Sequence, residues 1–263
     1  MLCSLLGAAS GLTLLATPAP SVTVGVLPVV SFVRSVQDIY QERPAVRSLR
    51  DQAGRWQRQL EHAVGGLDGV RVHSEGALKS RLLTRAGREA VAVGRERYML
   101  GVEQYHDLDV EQATAHLARA GQLFMGAFID LVNPREVADI ALYEGLSVIE
   151  SGATSRAHMA FRRMWTMDPA RSFDRGYYPR ATEETLEAAF DDLLTTPDLL
   201  TLRWPSERLS AMSQRAGIDL WVSAVIVGTV DAPVLHIRGH DPARGVAPLD
   251  EQFPLDAQVG ERV

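Results

Sequence analysis

The residues near the carboxyl end that could carry chemistry are His236, His240 and Asp241, in the segment HIRGHD. The two histidines are four positions apart on a predicted strand, so they share one side of it. Together with Asp241 they could begin a metal site. Strand geometry, however, places the two histidine Cα atoms about 13 Å apart, too far to share one ion unless Gly239 bends the chain. We therefore interpret them as exposed polar residues of an edge strand, and we predict no metal and no cofactor.

A second polar group lies in the turn His106-Asp107-Leu108-Asp109 between two predicted helices. An imidazole and two carboxylates so close together could bind a cation. Asp107 and Asp109, however, are well placed to cap the following helix, where a carboxylate accepts hydrogen bonds from free amides. No further ligands follow at calcium-loop spacing. We predict a capping role.

The motifs of nucleophilic and phosphate chemistry are missing from the sequence. Gly-x-Ser-x-Gly is absent, and Ser147 and Ser151 lie on or at the end of a predicted helix. Gly65-Gly66 lacks the third glycine of a dinucleotide site, and no GxxxxGK[ST] motif occurs. Pairs of carboxylates could still meet in space, but the sequence points to no particular pair. The sequence therefore predicts a non-enzymatic protein with no catalytic residues.

Arginine and aromatic residues concentrate in the segment from Phe161 to Arg180. Both residue types are enriched in the central contacts of protein interfaces. The alternative interpretation is that Phe161, Trp165 and Phe173 are core residues and that Tyr177-Tyr178-Pro179 fixes the link to the next helix. The residues predicted to bind a partner are Arg162, Arg163, Trp165, Arg175, Tyr177 and Tyr178.

Composition excludes several classes of protein. The chain has 263 residues, 46% of them hydrophobic, which is typical of a folded globular protein. Its formal charge of −6 and isoelectric point near 5.7 argue against binding of nucleic acid. The single cysteine, Cys3, excludes an internal disulfide framework.

The first residues resemble a secretory signal. Leu5 to Ala16 is an apolar run too short to span a bilayer. It is followed by Thr17 to Ser21, a segment of small residues and prolines like the one that follows the apolar region of a signal peptide. No lysine or arginine precedes the run, and a buried N-terminal helix is the alternative. We predict a signal peptide over residues 1–19, no transmembrane segment in the mature chain, and a periplasmic or secreted location.

Predicted strands occur on both sides of a long helical block. Before it, Val22 to Val30 and Val70 to Val72 are apolar and β-branched, and Pro44 to Val64 has the periodicity of a helix. After it come a short helix over 206–216 and strands over 218–230 and 234–240. The predicted class is α+β, mainly α. A discontinuous α/β domain, 22–83 and 206–241, is interrupted by a helical insertion, 84–196, and followed by a tail, 242–263, that is loop or an edge strand at most.

The helical block contains an internal echo. Gly101, Ala113, Leu117 and Ala120 return 44 positions later as Gly145, Ala157, Phe161 and Met164. With Pro169 closing the second copy, Val91 to Pro169 resembles tetratricopeptide repeats. The offset exceeds the family's usual repeat of about 34 residues, and the first copy lacks the closing proline. The resemblance implies helical hairpins that bind a protein or peptide on their concave faces, without catalysis.

The flanking segments resemble a second group of proteins. VTVGVLPVV and the pair GIDLWVSAVIVGTV and VLHIRGHD are similar to strands of periplasmic α/β domains of the TolB N-terminal and CsgG types. This resemblance covers roughly residues 22–83 and 206–241. It implies a component of an envelope assembly that lacks enzymatic activity.

The sequence thus predicts an exported adaptor or scaffold whose helical repeat surface binds a protein or peptide of the cell envelope. Two alternatives remain open. One is an enzyme with a site in the cleft between the α/β half and the helical block, using His73, Glu75 and Asp219 near strand ends. The other is a structural subunit that assembles through an edge strand, Val234 to His240. The sequence does not determine the oligomeric state.

Overall fold

The structure, a computed structural model, describes residues 21–255 and is mainly helical with a mixed six-stranded sheet. This confirms the predicted α+β class. The predicted signal peptide, residues 1–19, lies outside the described residues, as do residues 256–263 of the predicted tail. The strands are β1 (Val22–Val26), β2 (Val30–Ser31), β3 (Val70–His73), β4 (Leu220–Gly228), β5 (Pro233–Asp241) and β6 (Val246–Pro254).

The sheet gathers strands from both sides of the helical block, in the order β3-β1-β4-β5-β6, with β2 also beside β4. Strand β1 pairs in parallel with β3 and β4, whereas β5 and β6 continue the sheet as antiparallel strands. The prediction that Val234 to His240 is an edge strand is therefore wrong, because β6 covers its outer side. Nine residues of the predicted tail form strand β6, which is itself the edge of the sheet.

The helices follow the sequence pattern closely, because apolar periodicity and capping residues define their ends. Ser74 and Asp109 cap α2 and α4 by accepting hydrogen bonds from Ala77 N and Gln112 N. The helices are α1 (Pro44–Gly65), α2 (Glu75–Leu82), α3 (Arg85–His106), α4 (Val110–Gly126), α5 (Ile129–Val132), α6 (Pro134–Glu150), α7 (Thr154–Met167), α8 (Arg180–Leu194), α9 (Leu199–Arg203) and α10 (Ser206–Ala216).

The helical block is interrupted between α4 and α5. The segment from Asp109 to Val132 forms α4 and α5, which are separated by Phe128 in a left-handed conformation with φ of 60°. The Phe128 side chain is buried, and the guanidinium groups of Arg208 and Arg215 lie 4.2 and 4.6 Å from its ring centroid. Packing against α10 thus accompanies a backbone conformation that an aromatic residue rarely adopts.

Helices cover both faces of the sheet. On one face, α1 packs Leu49 and Ala53 against alternate residues of β4, including Ala224. On the other face, α2 and α10 pack around the fully buried Trp221. Gly25 of β1 leaves room for this ring, since a Cβ there would lie 2.4 Å from it. The near-continuous apolar sequence of β4 is explained by this burial on both faces.

The helical block packs as consecutive antiparallel neighbours, α3 with α4 and α6 with α7, while α4 contacts α6 and α7 contacts α8. The glycines that recur 44 positions apart in the sequence occupy similar positions in the α3/α4 and α6/α7 pairs. Gly101 of α3 receives the side chain of Leu117 from α4, and Gly145 of α6 receives Phe161 from α7. Both glycines are buried where a bulky side chain from the next helix crosses them.

The block and the sheet share one hydrophobic cluster. Phe161 and Trp165 of α7 belong to the same cluster as Val225 of β4 and Phe32 and Ile39, which follow β2. The backbone amide of Phe173 also donates to Ile39 O at 2.8 Å. Burial of this cluster joins the helical block to the sheet.

None of the helices within residues 21–255 is long and apolar enough to cross a membrane.

We predict that Gly145→Ala destabilises the fold, although alanine normally favours a helix over glycine. The added Cβ would lie 2.3 Å from Phe161 Cε1, so the ring or the helix must move. We expect a loss of about 1–3 kcal/mol in the free energy of unfolding, typical of overpacking, measured by urea denaturation. Gly54→Ala in exposed α1 is the control, because its Cβ meets only the end of Arg58 at 3.9 Å. Equal stability of the two variants would contradict the close packing.

Candidate interaction surface

The six residues predicted to bind a partner occupy three different environments. Arg162 and Arg163 lie on α7 and line a groove of about 610 Å³ that also includes the exposed Met159. Both arginines are paired within the fold. Arg162 lies 3.0 Å from Asp192 Oδ2, and Arg163 forms an ion pair with Glu144.

Trp165 is a core residue and cannot contact a partner as a surface anchor. Its side chain is fully buried against Phe173 and Phe190, and its indole N–H donates to Leu186 O at 3.1 Å. Its inclusion among the partner-binding residues was therefore wrong. An aromatic residue on an amphipathic helix has no sequence signal that separates a core role from an interface role.

The remaining three residues, Arg175, Tyr177 and Tyr178, lie in the loop between α7 and α8. The Arg175 guanidinium stacks 4.7 Å from the ring centroid of Tyr40. The Tyr177 side chain is 72% exposed, and its ring contacts that of Tyr178 at 4.9 Å between centroids. This loop is held against the core by Phe173, which contacts both Trp165 and Tyr178.

In the structure, the loop between α7 and α8 lies beside tyrosines of α3 and α6. We did not predict from the sequence that these tyrosines form one surface. On α3 and α6, Tyr98 and Tyr105 lie 5.9 and 5.6 Å from Tyr143, centroid to centroid, all nearly edge to face. His106 stands at the end of the row, 6.4 Å from Tyr143. Five of the chain's six tyrosines thus lie close together. We call the surface formed by Tyr98, Tyr105, Tyr143, Tyr177 and Tyr178 the tyrosine face.

Each ring is anchored by the core beneath it. Tyr98 and Tyr143 pack on the cluster that contains Phe124 and Leu117, and Tyr105 and Tyr178 pack on the cluster that contains Trp165. Tyr98, Tyr105, Tyr143 and Tyr178 are partly buried, whereas Tyr177 is exposed. Rings held in this way lose little conformational entropy when a partner covers them. The seven-residue spacing of Tyr98 and Tyr105 on one helix face was the available sequence signal.

Charged side chains surround the tyrosine face in pairs. Arg171 forms an ion pair with Asp139, and Arg95 donates two hydrogen bonds to Glu136. The Tyr105 hydroxyl donates to Glu150 Oε1 at 3.3 Å. An apolar aromatic centre with a charged rim is the usual anatomy of a protein interface.

The hydroxyls of the four partly buried tyrosines are held in their neutral form. Burial raises the pKa of Tyr105 to about 12, and the charge of Glu150 contributes to the shift. Burial also raises the pKa of Tyr178 to about 12, with a contribution from Tyr143. The pKa values of Tyr98 and Tyr143 are raised for the same main reason. At neutral pH the surface therefore offers phenols that can donate and accept hydrogen bonds.

His236 and His240, considered from the sequence as possible metal ligands, do not form a metal site. His236 pairs with Asp250 of β6, and His240 is buried, with no hydrogen-bond partner for Nε2 among the described residues. Within residues 21–255, no group of three or more His, Cys, Asp or Glu side chains could hold a metal ion. Their interpretation as exposed edge-strand residues was wrong, because β6 pairs beside them.

The turn at His106 behaves largely as predicted. Asp109 caps α4, which confirms its role, whereas Asp107 ends α3 and donates its backbone amide to Glu103 O. The prediction that Asp107 caps the following helix was therefore wrong.

The three residues of the alternative enzyme hypothesis are spread over the sheet. Asp219 accepts a hydrogen bond from Thr23 N at 2.7 Å, at the amino end of β1, whereas His73 ends β3. The strand register separates the backbones of Asp219 and His73 by two strands and two residues, about 12 Å. Glu75 is paired with Lys79 at 2.6 Å. Direct proton transfer between these groups would require closer approach.

Comparisons with models of protein families, with curated proteins and with solved structures yield no match for this chain.

The raised tyrosine pKa values predict a change in stability at high pH. The unfolded chain ionises its tyrosines near pH 10, whereas the folded state keeps Tyr105 and Tyr178 protonated to about pH 12. Their contribution to stability is therefore complete below pH 10 and is lost as the pH rises through about 12. An alkaline absorbance titration should show a late phase that Tyr105→Phe reduces. Ionisation of all tyrosines in a single phase near pH 10, in folded protein, would contradict the burial of these rings.

Proposed function

We propose that the protein is a non-enzymatic adaptor whose helical block binds a protein or peptide on the tyrosine face. The observation that supports this most directly is the row of five adjacent tyrosines, supplied by α3, α6 and the loop before α8. Tyrosine contributes a large contact area and a hydrogen-bonding hydroxyl at low entropic cost. Tyrosine is one of the residue types enriched among the interface residues that contribute most to affinity.

The helix pairs α3/α4 and α6/α7 pack around a glycine in the same way. This similarity supports the interpretation of the helical block as an inserted, tetratricopeptide-like array. Gly101 and Gly145 occupy corresponding positions and each receives one large side chain from the following helix. Repeats of this kind build an extended surface from equivalent helices. Here α3 and α6 are the equivalent helices, and they supply Tyr98, Tyr105 and Tyr143.

The proposed partner is a protein or peptide of the cell envelope, and the proposed location is periplasmic or secreted. This part of the proposal rests on the apolar run from Leu5 to Ala16 and on the resemblance of the flanking strands to envelope domains. We do not carry forward the enzyme that uses His73, Glu75 and Asp219, because these residues lie apart. Assembly through β5 is not carried forward either, because β5 is paired on both sides.

Site-specific photo-crosslinking tests the surface. We would place a benzoylphenylalanine at position 177, in a chain of residues 22–263, and expose it to envelope extract. Position 159 is the matched control, because Met159 is 60% exposed but lies in the separate groove on α7. We expect a discrete crosslinked partner from position 177 and none from position 159. Crosslinking only from position 159 would move the interface to that groove.

Substitutions give the corresponding measurement of affinity. Tyr177→Ala removes an exposed ring and should weaken binding of the crosslinked partner by about tenfold or more, as for an interface residue of central importance. Arg175→Glu should also weaken binding, because Arg175 lies two residues before Tyr177 in the loop that contributes to the tyrosine face. The double variant Arg162→Glu/Arg163→Glu is the control on the other groove. Unchanged affinity of Tyr177→Ala, measured by calorimetry, would exclude the tyrosine face.

A further inference from the structure

A second candidate site, independent of the tyrosine face, lies in a cleft between the sheet and the helical block. The cleft has a volume of about 310 Å³, at the lower end of the range for small-molecule sites. Its walls are formed by the segment 28–31 after β1, by α1 and α2, by α5 and by the segment 167–170. Charged side chains line it, namely Arg50, Glu75, Lys79, Asp130, Asp168 and Arg203.

The topology of the sheet creates this cleft. Strands β1 and β3 are parallel neighbours, but the chain leaves β1 towards α1 on one face and leaves β3 towards α2 on the other. Adjacent strands whose connections diverge leave a crevice beyond their carboxyl ends, where α/β proteins collect ligands. Residues of both α1 and α2 line the cleft, as this topology requires.

Arg203 is the unusual residue of the cleft. Its side chain is 3% exposed, and its Nε has no hydrogen-bond partner among the described residues. The guanidinium contacts the sulfur of Met167 and stacks 4.6 Å from the Trp204 ring. Burial lowers the pKa of Arg203 to about 10, so the side chain is still charged at neutral pH. A buried charge without a polar partner is costly, so an anion bound beside Arg203 would offset that cost.

The carboxylates near Arg203 are already paired with other cations. Asp130 forms a buried ion pair with Arg208 and Asp168 lies 3.6 Å from Arg171 Nε. Glu75 is paired with Lys79. Within residues 21–255, Arg203 forms no ion pair of its own. The charges of Asp130 and Asp168 still favour the charged guanidinium from a distance.

We propose that this cleft binds a small oxyanion, a phosphate or carboxylate group, with Arg203 as its principal charged ligand. A guanidinium presents several N–H donors in one plane, which suits two oxygens of such a group. Lys79 on α2 and Arg50 on α1 line the same cleft but are paired with Glu75 and Glu42, so among the described residues Arg203 is the cation of the lining that has no ion pair.

Titration with inorganic phosphate, and separately with succinate, tests the proposal on the chain 22–263 at constant ionic strength. We expect saturable shifts of backbone amide signals from residues 29–31 and 75–79, and the stronger ligand of the two defines the class of oxyanion. Arg203→Met should weaken the affinity at least about tenfold, the loss of a charge-assisted hydrogen bond. Arg180→Met is the matched control, because Arg180 is exposed on α8 and paired with Glu184.

A pair of variants at Gly54 keeps the test decisive if Arg203→Met fails to fold. Gly54 lines the cleft, and its Cβ position has space, so both substitutions fit on exposed α1. Gly54→Glu adds a negative charge at the cleft and should weaken phosphate binding about tenfold, while Gly54→Gln should retain it. Equal affinity of Gly54→Glu and Gly54→Gln would overturn the proposal. So would full phosphate affinity in Arg203→Met, or shifts confined to exposed arginines.

Discussion

The interaction on which the rest of this structure depends is the burial of Trp165 between the helical block and the sheet. Trp165 contacts Phe190 of α8 and Phe173 of the preceding loop, and its cluster extends to Val225 in the centre of the sheet. The indole N–H is satisfied by Leu186 O, so the ring is buried without a polar cost. One core therefore fixes the position of the block relative to the sheet.

Both candidate sites follow from that junction. The segment 168–179 crosses from α7 to α8 over the junction, and Phe173 holds it by packing on Trp165 and by donating to Ile39 O. Its later residues complete the tyrosine face, while Pro169 and Ala170 form part of the wall of the Arg203 cleft. Arg34, itself buried, secures this wall by donating to the carbonyls of Pro169 and Arg171.

The two sites differ in physical character, which favours different ligands. The tyrosine face is aromatic and partly exposed, and its charged neighbours pair among themselves at the rim. It suits a partner that covers area, because buried aromatic surface contributes most of the affinity there. The cleft is small, and Arg203 is buried in it without an ion pair among residues 21–255, so it suits a small anion that supplies charge and hydrogen bonds. An adaptor with both would present a protein-binding surface beside a small-ligand site.

The sequence alone determined the elements of the fold, because periodicity and capping are local properties of the chain. Helices α1 and α10 begin and end within about a residue of their predicted bounds, and the recurrence of Gly101 and Leu117 as Gly145 and Phe161 already predicted two similar helical hairpins. The repeat family and the export signal are still predictions. Only the tertiary structure decided what depends on contacts between distant segments: the break at Phe128, the burial of Trp165, and the pairing of β6 beside β5. The same holds for both sites, because folding alone brings Tyr98 beside Tyr143 and places Arg203 and Lys79 in the lining of one cleft. No local sequence pattern records which distant residue will be a neighbour.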